Sequence, residues 1–171
     1  DMGYGYEEIV KALLPIRETG RIFFTIGSID YLKHGGRIGK LAGMAGSMLR
    51  LKPMITLKDG SIDSSGVARS RKKSMVKILE LLKQYFEENN DDPKNYIYSL
   101  GFGYDEEEGK QLLDEELQSF GVTEPSHLVQ IGATICVHTG PYAIGVGVMK
   151  KYDACAEAAL SEEESLKQYT A

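Results

Sequence analysis

The chain has 171 residues, 42% of them hydrophobic and 26% charged, which excludes a disordered chain and suits one domain that buries its core without disulfides or metal. Its formal net charge of −5 argues against general nucleic-acid binding. No apolar run approaches the roughly 18 residues of a membrane span, and two cysteines, Cys136 and Cys155, read as reduced-compartment usage, so a cytoplasmic protein is expected.

The opening DMGYGYEEIV lacks the pattern of a secretory leader, and because the first residue is Asp1, further sequence upstream is expected. YEEIVKALLPIRETG then places Ile9, Val10, Leu13 and Leu14 on one helix face, with Gly20 as its stop. RIFFTIG reads as a buried strand. In SIDYLKHGGRIGKLAGMAGSMLRL, Ser28 is the expected N-cap of a helix that breaks at Gly35–Gly36, and a second helix is expected from about Arg37 to Leu49. KPMITLKDGSIDSSGVA carries Asp59–Gly60 between two extended stretches, a strong hairpin signal. SRKKSMVKILELLKQYFEENN is the clearest helix, with Met75, Ile78, Leu79, Leu82, Tyr85 and Phe86 forming a core stripe. NYIYSLGFG reads as a strand, DEEEGKQLLDEELQSFG as an acidic helix and SHLVQIG as another strand. ATICVHTGP and AIGVGVMKKY follow as extended segments, with the HTGP turn at a strand end. Residues 1–152 are expected to form one domain, and 153–171 an acidic, helix-prone tail.

Charge is unevenly placed: residues 1–75 hold 13 Lys and Arg against 7 Asp and Glu, and residues 76–171 hold 7 against 18. Arg69, Arg71, Lys72 and Lys73 gather at the start of the strongest helix, where the macrodipole disfavours cations by about 0.3–1 kcal/mol each unless an anion meets them. Free backbone N–H groups and the arginine fork make that turn either a carboxylate or phosphate site or a solvated basic turn. KHGGRIGK joins a permissive backbone to Lys33, Arg37 and Lys40, its glycines serving as a helix stop or allowing close approach. Neither the P-loop nor the dinucleotide fingerprint occurs, so no nucleotide cofactor is expected. His138 reads equally as a satisfied core residue, a catalytic base or the reader of an anion. No GxSxG elbow occurs, and His34 and His127 offer no ligand spacing, so no metal is expected. Met44, Met48 and Met54 with Leu41, Leu49 and Ile55 form an apolar set, suited to a long flexible ligand or to ordinary packing.

DYLKHGGRIGK, LKPMITLKDGSI, ARSRKK and IGATICVHTGP followed by AIGVGV, in that order, resemble the C-terminal half of the DegV family of bacterial fatty-acid-binding proteins, from about Tyr6 to Tyr152. The order of the predicted helices and strands suggests a mixed β-sheet with packed helices, and the resemblance implies the same, an α/β fold in a single compact domain. It implies a long-chain fatty acid buried between this domain and an N-terminal domain of the same protein, which has no counterpart in these residues. It further implies a separate fatty-acid kinase that converts the presented carboxylate to an acyl phosphate for phospholipid metabolism, the lipid-binding protein itself being no enzyme. Carried over, His138 with Thr139 would fix the carboxylate, and Arg71 and Arg37 would shape the mouth. Arg69, Arg71, Lys72 and Arg37 would face the kinase, and Arg71 and His138 are expected to converge within reach of one anion, beside an apolar groove lined partly by Met44, Met48 and Ile135. One departure stands out: the family's HTGPG is HTGPY here, with Tyr142 in place of a glycine. The alternative is a small-molecule enzyme using His138 as general acid or base on a phosphorylated substrate, and a third reading is an interaction module with a charged docking face.

Overall fold

A computed structural model describes residues 5–44, 51–122 and 127–152. Helix α1 (Tyr6–Glu18) leads into β1 (Arg21–Thr25), a short α2 (Asp30–His34), a 3-10 segment at Gly39–Met44 and the hairpin of β2 (Lys52–Lys58) and β3 (Ser61–Ala68). The long α3 (Arg71–Asn89) follows, then β4 (Tyr96–Phe102), α4 (Glu106–Glu116), β5 (His127–Gln130), α5 (Ala133–Thr139) and β6 (Ile144–Lys150). The strands form one six-stranded sheet in the order β3-β2-β1-β6-β4-β5. Among the described strands only the β4–β5 pairing is parallel. This is the mixed α/β architecture expected from the sequence.

Local chemistry explains the elements. Asp59 and Gly60 both take positive φ, 50° and 73°, as a two-residue hairpin turn requires. Ser70 caps α3, its hydroxyl accepting from the Lys73 N–H, and Asn90 ends the helix in a left-handed conformation. The apolar stripe of α3 buries Ile78, Leu79, Leu82 and Phe86 against Phe23, Met54, Tyr98, Val146 and their neighbours on one sheet face. Each such side chain contributes about 1.5–3 kcal/mol. Leu112 of α4 closes the same core. A second cluster, Ile26, Ile29, Leu32, Leu41, Ile55 and Ala143, packs on the other face of the sheet.

Three expectations need correction. ATICVHTGP is not extended: residues 133–139 form α5, opened by Gly132, whose carbonyl accepts from the Ile135 and Cys136 N–H groups. β5 already occupies the sheet edge beside β4, while β6 must lie between β1 and β4, so the chain has to leave the sheet, and a helix satisfies its backbone on the way. Ile135 and Val137 are accordingly exposed rather than buried as strand residues would be. The second expected helix is a 3-10 turn at Gly39–Met44, where two glycines, Gly39 and Gly43, raise the entropic cost of an α-helix; its continuation to Leu49 lies outside the described residues. The supposed apolar set is also divided. Met54 and Ile55 are consecutive in β2, so they point to opposite faces, Met54 into the α3 core and Ile55 with Leu41 into the other cluster.

Register decides where a site can form. Thr25 pairs with Ile144, Ile144 with Phe102, and Phe102 with Gln130. The carboxyl ends of β1, β4 and β5 therefore lie side by side, next to the start of β6. The segments leaving them, Gly27–Ser28, Gly103–Asp105 and Ile131–Gly132, gather around Gly140–Tyr142.

Candidate functional site

The HTGPY turn is seated on residues from several segments. His138 lies in the last turn of α5, and its imidazole covers Gly35 so closely that a Cβ there would fall on Nδ1 and within 3.0 Å of Cε1. Gly140 has φ 76°, and a Cβ on it would stand 2.6 Å from the Tyr31 ring, so both conformation and space demand glycine. The Pro141 carbonyl accepts from the Tyr104 N–H at 2.7 Å. Tyr142 packs over Gly27 and meets Tyr104 edge to face, with centroids 6.2 Å apart.

The two glycines of KHGGRIGK divide the tasks that the sequence left open. Gly36 takes the positive φ of 68°. Its N–H donates to the Lys33 carbonyl and that of Arg37 to the Leu32 carbonyl, the two bonds that close a left-handed helix cap. Gly35 keeps an ordinary φ of −77°. Its lack of a side chain serves close approach, and the group that approaches is His138. The Gly35 carbonyl also accepts from Arg37 Nη1 at 2.9 Å. Arg37 and His138, about a hundred residues apart in sequence, therefore meet at one residue. Of the two imidazole nitrogens, Nδ1 is buried and has no hydrogen-bond partner.

Arg71 lies in a neighbouring cavity of about 570 Å³, with Ser28, Tyr31, Lys52, Glu108 and Gly140–Tyr142 in its walls. The anion that meets its helix turn is internal: Nε and Nη2 donate to the two Glu108 oxygens at 2.7 and 2.5 Å. Nη1 is buried without a partner, and Lys52 donates to the Gly27 carbonyl. His138 is not among the residues lining this cavity. Arg69 and Lys72, near Arg71 in sequence, are exposed. The Thr139 hydroxyl is buried and donates to the carbonyls of Ile135 and Gly140 at 3.2 and 3.3 Å. Ile135, one turn before His138 on α5, is 53% exposed. The Met44 side chain and all of Met48 lie outside the described residues.

The paired glycines signal close approach, but nothing in the sequence marks His138 as the group that approaches Gly35, or singles out Glu108, Lys52 and Tyr31. Glu108 sits in a run of three glutamates, and nothing in their spacing distinguishes the one that pairs. Among the described residues no carboxylate is bonded to the His138 imidazole, the orienting partner of a triad-type general base. Cys136 is turned away from such a role, its Sγ donating to the Ile131 carbonyl. Among the described residues no group of three or more side chains could hold a metal ion, and no helix is long and apolar enough to cross a membrane.

Comparison with known proteins adds the family. Residues 1–151 match the model of the DegV family, described as uncharacterised proteins. A DegV domain-containing protein of Clostridium perfringens is 37% identical over 150 residues, 87% of this chain and 51% of its own length. Among solved structures, a stearic-acid-binding protein from Eubacterium ventriosum superposes with a TM-score of 0.81 at 43% identity, over 89% of this chain and 52% of that one. A fatty-acid-binding DegV family protein from Thermus thermophilus gives 0.78 at 30% identity, over 87% and 52%. The chain thus spans about half the length of these relatives. It belongs to the DegV family.

Proposed function

We propose that this chain supplies the carboxylate-recognising half of a cytoplasmic fatty-acid-binding protein, residues 1–152 forming the binding domain and 153–171 an appended tail. The observation that carries the reading is the meeting of Arg37 and His138 at Gly35, in a family whose 43% identical solved member is described as binding stearic acid. An arginine and an imidazole N–H are suited to one carboxylate. Ile135, exposed one turn away on the same helix, offers apolar surface to the first methylenes, and Met44 and Met48 are kept as groove residues on the family resemblance alone. Thr139 contributes by holding the turn, since its hydroxyl is committed to backbone carbonyls. Arg71 acts from the adjoining cavity, held by Glu108.

In this reading the remaining wall of the tunnel belongs to an N-terminal domain, and the chain covers about half of its relatives' length. Each methylene that the second half buries adds about 0.8 kcal/mol, so affinity rises steeply when both halves are present. In this reading the protein is not an enzyme. It presents the carboxylate to a fatty-acid kinase, which docks on Arg37, Arg69, Arg71 and Lys72 and forms the acyl phosphate.

Native mass spectrometry of the chain purified from a bacterial host, with organic extraction of a parallel sample, tests this. A bound C16 to C18 fatty acid that disappears in His138→Ala or Arg37→Ala is the expected result. Retention of the lipid in both variants would remove these residues from the site. If this half carries no lipid, the same variants in a full-length two-domain protein decide.

A further inference from the structure

We propose that Gly35 is the positioning residue of this site: its bare α-carbon seats the His138 ring while its carbonyl holds the Arg37 guanidinium, so that one residue sets the spacing of both donors. The inference rests on the fatty-acid reading for its function, but not for its geometry. The imidazole meets Gly35 edge-on, leading with Nδ1, and its flanking ring atoms Cε1 and Cγ stand 3.0 and 3.1 Å from where a Cβ would be. Arg37 Nη1 reaches the carbonyl of the same residue at 2.9 Å. Gly35 has no conformational need to be glycine, because its φ of −77° and ψ of −2° are open to any residue. Close approach is what excludes a side chain there.

The seat also selects the face that His138 offers. Nδ1 is buried against Gly35 with no partner. A lone pair tolerates a neighbouring Cα–H, whereas an N–H there would be an orphaned donor. The imidazole therefore carries its proton on Nε2, and that N–H is the group turned to a carboxylate. Neighbouring contacts stiffen the arrangement from both sides. Tyr31, one helical turn before Gly35, fills the space that Gly140 leaves open, so α2 and the end of α5 interlock at two points.

Two measurements test the seat. In ligand-free protein, ¹⁵N NMR of the imidazole should show His138 in a single tautomer protonated at Nε2, and Gly35→Ala should move it toward the averaged signals of a solvent-exposed histidine. Unchanged His138 signals in Gly35→Ala would overturn the proposal. Calorimetric titration with palmitate should show Gly35→Ala and His138→Ala each weakening binding about tenfold, the worth of one charge-assisted hydrogen bond, with the double variant no weaker than either single. Additive losses would mean a general structural defect at Gly35 and would also overturn it. Should Gly35→Ala fail to fold, His138→Ala in the same chain should restore folding by removing the ring it strikes, and failure of that rescue counts against the seat. If His138→Ala leaves palmitate affinity intact while the NMR result holds, the seat stands and the fatty-acid role of His138 falls.

Discussion

At the scale of single residues, a guanidinium in the first turn of a helix is an electrostatic misfit until an anion meets it, and at Arg71 that anion is Glu108. That the basic turn could recruit an anion was legible in the sequence, alongside the reading of a solvated turn. Which carboxylate supplied it was not, because the pairing crosses from α3 to α4. The two side chains are 25% and 20% exposed, between the regimes of surface and buried pairs. A double-mutant cycle with Arg71→Ala and Glu108→Ala, followed by urea denaturation, should give a coupling of about 1–2 kcal/mol. A coupling near zero would show the pair to be a surface contact only.

At the scale of elements, α3 is the part whose pattern and packing agree. Leu82 is fully buried, whereas Val76 on the same helix is 42% exposed. Leu82→Ala should therefore cost about 2–5 kcal/mol by cavity formation, and Val76→Ala less than about 0.5 kcal/mol, both read from urea midpoints at constant slope. Ser70→Ala, which removes the cap on Lys73 N–H, should cost about 1 kcal/mol. α5 is the converse case. Its β-branched Thr134, Ile135 and Val137 favour a strand, yet long-range pairing of β6 between β1 and β4 leaves no sheet position for them. Residue preference was overridden by topology, and the sequence window contained no sign of it.

For the whole molecule, two tyrosines tie stability to pH. Tyr96 and Tyr98 are both 2% exposed. Burial first, then the neighbouring Tyr85 hydroxyl and the hydrogen bond to Asp91, raises the Tyr96 phenol above its ordinary value of 10.0. Burial, then the Asp92 charge, raises that of Tyr98. Both phenols are thus harder to ionise folded than unfolded, so their contribution is fully present below pH 10 and declines as pH rises beyond it. Urea midpoints measured from pH 8 to 11 should fall steeply above 10, and Tyr98→Phe should flatten that fall. An equal fall in the variant would assign the alkaline loss to other groups.

By itself the sequence determined the fold class, the α3 core stripe, the Asp59–Gly60 hairpin and the residue types able to meet an anion. Each of these follows from periodicity, turn stereochemistry or charge within a short window. Tertiary structure alone decided how those residues are grouped. Gly35 and His138 touch because α5 folds back against α2, which places an imidazole on an α-carbon in a contact that local spacing does not encode. Arg71 is occupied by Glu108 because α3 and α4 pack on one face of the same sheet. Local chemistry wrote the elements and the donors; the register of a six-stranded sheet, a sum of long-range pairings, chose which of them meet.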